Sequence, residues 1–172
     1  VAGGRVAVSL GLKEDETHDL SAMLDALTPE TRVIFICSPN NPTGQIVDRD
    51  DLEEFIRQVP VEVVIVLDEA YIEYVPEEKR SDSFRLYREH SNVVILRTFS
   101  KAYGLAGLRV GFSISQEPIT QALRKTAMPF GVSSLAQAAA IASISAEPEL
   151  IERLASVVAE RERVFRALNA GG

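Results

Sequence analysis

The segment VVILRTFSKAYGLAGLRVGF, residues 93–112, is the part of the sequence that most strongly indicates the fold. Its first four residues are a continuous apolar run, which is typical of a strand covered on both faces of a sheet. The run stops at Arg97, and a turn containing Gly104 and Gly107 follows. A strand is therefore expected to end here, with Lys101 directly after its end.

Two further apolar runs, at 33–37 and 61–67, predict buried strands of the same kind. Capping residues and apolar periodicity predict helices at 20–27, from Asp48 or Asp50 to 59, and at 83–89, 118–127, 134–146 and 148–169. Shorter strands are predicted at 5–9 and 110–114. This alternation of strands and helices indicates one α/β domain over residues 1–172, with a mostly parallel sheet and right-handed crossovers.

Composition limits the possible partners of the chain. A formal net charge of −7 argues against a nucleic-acid-binding surface. One cysteine and two histidines offer neither a disulfide framework nor the ligand spacing of a metal site. No apolar run approaches the ~18 residues of a membrane-spanning helix, so we expect no membrane partner and a cytoplasmic location.

Polar loops follow the three predicted buried strands: SPNNPTG at 38–44, DEAY at 68–71 and TFSK at 98–101. Ligands of open α/β sheets bind at the carboxyl ends of the strands, so these loops are expected to meet at one site. Lys101 offers an amine that can form a Schiff base with an aldehyde. Asp68 can face a pyridine nitrogen, while Tyr71 and Asn41 can reach a phenolic oxygen. The set favours pyridoxal phosphate as the cofactor.

Thr98 and Ser100 are expected to point to one side of an extended chain, because side chains alternate along it. Arg109 could return to the same place after the glycine turn and offer a fork of donors to a phosphate. Taken singly, NPTG is an ordinary turn sequence, and Asp68 with Glu69 resembles the acidic strand end of a nucleotide hydrolase. The sequence contains no GxxxxGK[ST] motif, which argues against nucleotide hydrolysis.

The motifs SPNNPTG, DEAY and TFSKAYGLAGLRVGF together resemble the signature segments of the fold-type I pyridoxal-phosphate-dependent aminotransferases, above all the histidinol-phosphate aminotransferase branch. The segments LTPETR at 27–32 and SSLAQAAA at 133–140 resemble the same branch. The resemblance implies the three-layer α/β/α large domain of the aspartate-aminotransferase-like fold, truncated at both ends. It also implies that the helix at 148–169 leads toward a small domain absent from this sequence.

Roles for single residues follow from the resemblance. It makes Lys101 the lysine that carries the cofactor, Asp68 the partner of the pyridine nitrogen, and Tyr71 a further catalytic residue. Asn41 and Tyr71 would contact the phenolic oxygen, and Ala70 would let the ring lie close. The remaining cofactor-binding residues would hold the phosphate: Thr98, Ser100 and Arg109.

The activity implied is transamination between an amino acid, either histidinol phosphate or an aromatic amino acid, and a 2-oxo acid. The complete enzyme would be a homodimer, and the isolated chain would be an incomplete enzyme. Two alternatives stay open on the same scaffold: an amino-acid phosphate decarboxylase, and an aminotransferase-like sensor module of a transcription regulator. A basic helix-turn-helix segment upstream would favour the sensor.

Overall fold

The computed structural model describes residues 4–170, and its centre is a four-stranded sheet. The strands are β1 (Val33–Cys37), β2 (Val64–Asp68), β3 (Val93–Thr98) and β4 (Gly111–Ile114), and they lie side by side in chain order. The first three strands are parallel, and β4 is antiparallel to β3. The predicted α/β class with a mostly parallel sheet is confirmed.

The described residues 4–170 also form six α-helices: α1 (Leu20–Asp25), α2 (Arg49–Gln58), α3 (Ser83–Glu89), α4 (Glu117–Thr126), α5 (Ser134–Ser145) and α6 (Glu147–Ala170). Side chains of Asp19, Asp48, Asp82 and Ser133 accept hydrogen bonds from first-turn backbone N–H groups of α1, α2, α3 and α5. Those N–H groups have no partner within the helix, so the caps define where each helix begins. Within residues 4–170, no helix is both long and apolar enough to cross a membrane.

Helices cover the two faces of the sheet to different extents. On the first face, strand side chains pack with residues of α1 and α2 in one buried cluster that includes Ile34, Ile36, Ile65, Leu67, Val93, Leu20, Leu52, Phe55 and Ile56. The alternating strand residues, which include Phe35 and Asp68, belong to the second face. Phe35 is 64% exposed there, so the second face is open over β1.

Several boundaries differ from the sequence prediction. Residues 5–9 form no strand, and Val6 and Val8 are exposed. A strand at this position would need a neighbouring strand to satisfy its backbone hydrogen bonds. The strand predicted from residue 61 begins only at Val64, because the Val63 N–H donates to the Pro60 carbonyl in a turn at 2.9 Å. Helix α1 ends at Asp25, two residues early.

The turn between β3 and β4 is closed by backbone hydrogen bonds. The Phe99 N–H donates to Val110 O at 3.2 Å, and the Gly104 N–H donates to Lys101 O at 3.0 Å. Gly104 has a φ of 73°, a left-handed conformation that glycine adopts without steric cost. The turn therefore holds Lys101 immediately beyond the end of β3.

Gly111→Ala should destabilise the protein by about 1–3 kcal/mol, the usual cost of overpacking. A Cβ at Gly111 would lie 2.8 Å from the carbonyl oxygen of Arg97, a backbone atom that cannot turn away. Urea denaturation measures the free energy of unfolding. Gly107→Ala is the matched control, because a Cβ there meets no heavy atom within 4 Å. Equal stability of the two variants would contradict the prediction.

Candidate functional site

The loop after β1 is folded back on itself at Asn40. The Asn40 N–H donates to Gln45 O and the Gly44 N–H donates to Asn40 O, both at 2.8 Å, with Gly44 at a φ of 76°. These bonds place Asn41 in an exposed position within the loop. Its side-chain Nδ2 donates to the hydroxyl of Tyr71 at 3.3 Å. The loops after β1 and β2 thus meet, as the sequence predicted.

Asp68 is the last residue of β2 and is half-buried. Its Oδ1 accepts the N–H of Ala70 at 3.0 Å, which fixes one oxygen of the carboxylate against its own loop. Cys37 is its register partner on β1. Burial raises the pKa of the Cys37 thiol, and the nearby Asp68 carboxylate raises it further. The thiol is therefore held in its neutral form beside Asp68.

Tyr71 and Lys101 lie together although they belong to different loops. The ammonium nitrogen Nζ of Lys101 is 5.1 Å from the centroid of the Tyr71 ring. This is within the range of a cation–π interaction. Tyr71 is half-buried at the start of a short 3₁₀ helix, Ile72–Tyr74, whereas Lys101 is exposed. The structure therefore brings Asn41, Tyr71 and Lys101 into one group at the carboxyl ends of the strands.

Thr98 and Ser100 are connected by a local hydrogen bond in which the Thr98 Oγ1 accepts the Ser100 N–H at 3.0 Å. The bond uses the Thr98 hydroxyl only as an acceptor, so its hydrogen can still be donated to a ligand. Arg109 has a left-handed backbone, with φ 53°, and its Nη1 donates to Ala106 O at 2.8 Å. Its guanidinium thus binds its own turn, and the predicted convergence of Arg109 on Thr98 and Ser100 stays a prediction.

A cavity of about 450 Å³ borders the group formed by Asn41 and Tyr71. Helix α6 contributes Val157 and Arg161 to its wall, opposite the loop after β1. The site is thus adjoined by a volume in the range of small-molecule pockets.

Sequence reasoning gave no role to a buried ion pair directly beside the predicted site residues. Arg97, which precedes Thr98, donates to the carboxylate of Glu69, which follows Asp68. Glu69 is only 5% exposed. The only hint in the sequence was position: Glu69 and Arg97 are each the immediate neighbour of a predicted site residue.

A second carboxylate, that of Glu73, lies near the same pair. Its Oε2 is buried and has no hydrogen-bond partner among residues 4–170. Burial raises the pKa of Glu73; the positive charges of Arg97 and Arg80 oppose this shift, and the Glu69 carboxylate adds to it. The neutral acid is therefore favoured in the folded protein over a wider pH range than in the unfolded chain.

Glu73→Gln should stabilise the protein increasingly as pH rises above the ordinary glutamate value of 4.5. Between that value and the raised folded-state pKa, the native state binds more protons than the unfolded state. The stability contributed by Glu73 is thus complete below 4.5 and is lost as pH rises through the raised pKa. Glutamine has no proton to lose.

The measurement is urea denaturation of parent and variant at several pH values between about 4.5 and 8. It gives the difference in their free energies of unfolding over the range in which proton linkage predicts a change. Glu78→Gln is the control, because Glu78 is exposed in a neighbouring 3₁₀ helix. A stability difference for Glu73→Gln that stays constant with pH would contradict the assignment.

Comparison of the sequence with known proteins identifies the family. The sequence profile described as "Aminotransferase class I and II" matches residues 2–172. An aromatic amino acid aminotransferase of Streptomyces coelicolor is 58% identical over 172 residues, covering 100% of this chain and 48% of that protein. The chain thus spans about half the length of the curated relatives it matches.

Solved structures give the same result. Histidinol-phosphate aminotransferase from Sinorhizobium meliloti, in complex with pyridoxal-5'-phosphate, matches with a TM-score of 0.86 and 34% identity over 95% of this chain and 45% of that one. L-threonine-O-3-phosphate decarboxylase from Porphyromonas gingivalis matches with a TM-score of 0.62 and 24% identity over 74% and 38%. At that identity the second match shows the fold alone.

The aminotransferase fold predicted from the three motifs is confirmed, and the strand-end groups occupy the sheet edge at which this fold class binds its ligands. With the family profile covering all but the first residue, the chain belongs to the class I and II aminotransferases.

Proposed function

We propose that this chain forms the pyridoxal-phosphate-binding part of an enzyme that transfers the amino group of an aromatic amino acid to a 2-oxo acid. One observation carries the proposal. The Lys101 amine lies 5.1 Å from the Tyr71 ring, whose hydroxyl accepts a hydrogen bond from Asn41, at the ends of parallel strands. The Streptomyces coelicolor relative, with 58% identity, supports the aromatic substrate class.

The chemistry of the donor set fits the cofactor. An exposed amine suits an aldehyde, and the Asp68 carboxylate, with one oxygen engaged by Ala70, has a second oxygen for a pyridine nitrogen. The amide of Asn41 and the hydroxyl of Tyr71 suit a phenolic oxygen. The phosphate would be bound by the remaining donors: Thr98, Ser100 and Arg109. Arg109 uses one of its five N–H donors for Ala106 O and has four others to offer.

The bound cofactor supplies an aldehyde and an electron-withdrawing ring, which the twenty amino acids lack. Lys101 Nζ is the group of this chain that takes the proton from the substrate Cα, because its side chain reaches out from the strand end. Asp68 holds a positive charge on the ring nitrogen by charge pairing. Asn41 and Tyr71 donate hydrogen bonds that fix the phenolic oxygen and stabilise its negative charge.

The surrounding protein is part of the same proposal. The cavity beside Asn41 and Tyr71 offers space for a substrate side chain. Helix α6 would lead toward a small domain, and the full-length enzyme would be a cytoplasmic homodimer that accepts an amino acid and a 2-oxo acid. Histidinol phosphate is the second amino donor to test, since the Sinorhizobium meliloti structure is of an aminotransferase named for it.

Lys101 should carry the cofactor in the full-length protein. Borohydride reduction of the cofactor-loaded protein, followed by peptide mass mapping, should place the pyridoxyl group on Lys101, because that amine is exposed beside Tyr71. Lys101→Ala should abolish the label, whereas Lys125→Ala on the exposed surface of α4 should retain it. A label on Lys13, Lys79 or Lys125 would refute the assignment.

Transamination of phenylalanine with 2-oxoglutarate should be measurable in the full-length protein, and Asp68→Ala should slow it on the order of a thousandfold. That loss corresponds to several kcal/mol of transition-state stabilisation, because the ring loses the charge that holds its nitrogen protonated. Asp51→Ala, on the exposed side of α2, should leave the rate unchanged.

The same assay separates the alternatives. Faster turnover of histidinol phosphate would reassign the substrate, and release of carbon dioxide without a 2-oxo product would favour a decarboxylase. Cofactor binding without turnover of any amino acid would favour the sensor module.

A further inference from the structure

The Glu69–Arg97 ion pair has an unusual geometry for a salt bridge. Nε of Arg97 donates a hydrogen bond to Glu69 Oε2 at 2.9 Å, and Nη2 lies 2.8 Å from the same oxygen. The side chain of Glu69 is 6% exposed and that of Arg97 is 24% exposed. A charge-assisted hydrogen bond and a second close ionic contact on one shielded oxygen restrict both the distance and the direction between the two side chains.

The pair lies behind the proposed cofactor site. Asp68 pairs in register with Leu96, so these two side chains and that of Thr98 share the second face of the sheet. Glu69 and Arg97 are the next residues along and therefore belong to the first face. The Arg97 guanidinium carbon lies 5.2 Å from the centroid of the Phe84 ring on α3, which packs against it from that side.

The pair also joins the two segments that carry the site residues. The Glu69 N–H donates to Leu96 O at 3.0 Å, just beyond the last register pair of β2 and β3. The chain then leaves the sheet, and the Ile72 N–H donates to Glu69 O at 3.1 Å in the turn that positions Tyr71. Arg97 is followed in β3 by Thr98, three residues before Lys101. The ion pair thus connects the Asp68–Tyr71 segment to the Lys101 segment at the point where backbone pairing between β2 and β3 ends.

Stability alone does not explain a charged pair at this place. Replacing a buried ion pair with apolar side chains of similar volume is often neutral or stabilising, because two charges must lose their hydration. The carboxyl group of Glu73 lies near the same guanidinium, and its buried Oε2 has no hydrogen-bond partner among the described residues. Unlike apolar packing, the pair is directional. Its hydrogen bond and its second close contact favour one placement of the two segments relative to each other.

We propose that the Glu69–Arg97 pair is a positioning device that sets, from behind the sheet, the placement of Asp68 relative to Lys101. The proposal rests on the function proposed above, because it concerns the alignment of those two groups on a shared ring. Glu69 and Arg97 face away from Asp68 across the sheet, so they would act through the segments they connect and not by contact with the cofactor. Among residues 4–170, the charged or titratable groups close to the pair or to its neighbours include Glu73, Arg80, Tyr103 and Glu147.

The test uses the full-length protein with Glu69→Gln, Arg97→Lys and the control Glu54→Gln. Glutamine keeps the shape and an acceptor oxygen of Glu69 but removes its charge. Lysine keeps the charge of Arg97 but not the planar guanidinium that places two nitrogens against one oxygen. Glu54 is the matched control because it forms an exposed salt bridge to Arg57 at 2.6 Å on α2. Three quantities are measured: the thermal midpoint, kcat and KM, and the visible absorbance of the lysine-bound cofactor against pH without substrate.

We expect Glu69→Gln and Arg97→Lys to lower kcat by about 10- to 100-fold with little change in KM, because small misplacements of reacting groups have effects of this size. The pH at the midpoint of the absorbance change should rise. A ring nitrogen that is less firmly protonated would withdraw less electron density from the bond to Lys101, so the nitrogen of that bond would keep its proton to a higher pH. Glu54→Gln should match the parent in all three quantities.

Parent-like kcat and absorbance midpoint in both variants would overturn the proposal. If a variant is partly unfolded, the cofactor-bound folded fraction is isolated by gel filtration, and a parent-like midpoint in that fraction counts equally against it. Failure of the proposed function is distinct from these results, because the parent itself would then form no borohydride-stable link at Lys101 and show no transamination.

Discussion

The parallel pairing of β1, β2 and β3 is the constraint on which the candidate site depends. Cys37, Asp68 and Leu96 are register neighbours across the three strands, so the strands reach the same edge of the sheet together. Every loop that leaves this edge starts from a fixed point. Asn41, Tyr71 and Lys101 are far apart in sequence, yet each needs only a few residues of loop to reach the others.

The two faces of the sheet have different roles: one forms the buried core and the other carries the proposed binding groups. The first face is apolar along the strands and is packed against α1 and α2. Beyond the last backbone pair it becomes charged, at Glu69 and Arg97. The second face carries Asp68, one residue before Glu69, and Thr98, one residue after Arg97. Strand alternation therefore places a supporting ion pair and the proposed binding groups back to back, separated only by the backbone.

The sequence was sufficient for the four strands of the sheet and for the loops that follow β1, β2 and β3, because these depend on local pattern. Continuous apolar runs predicted β1, β2 and β3, and the polar motif after each run marked its end. The expected cover on both faces was wrong for β1, where Val33 and Phe35 are exposed. The strand at residues 5–9 was predicted wrongly because local pattern does not say whether a neighbouring strand is available. The Glu69–Arg97 pair and the buried Glu73 escaped notice for a related reason: their burial follows from tertiary packing, and charged residues in a sequence normally indicate solvent exposure.

The resting contact of Arg109 has a consequence for anion binding. The hydrogen bond from Nη1 to Ala106 O, at 2.8 Å, uses one of the five N–H donors of the guanidinium. The other four donors stay available while the contact restricts the position of the side chain. A phosphate, with its charge and several acceptor oxygens, can use more of these donors at once than a neutral ligand can. An anion that binds here therefore meets an arginine that has already lost part of its conformational freedom, which lowers the entropic cost of binding.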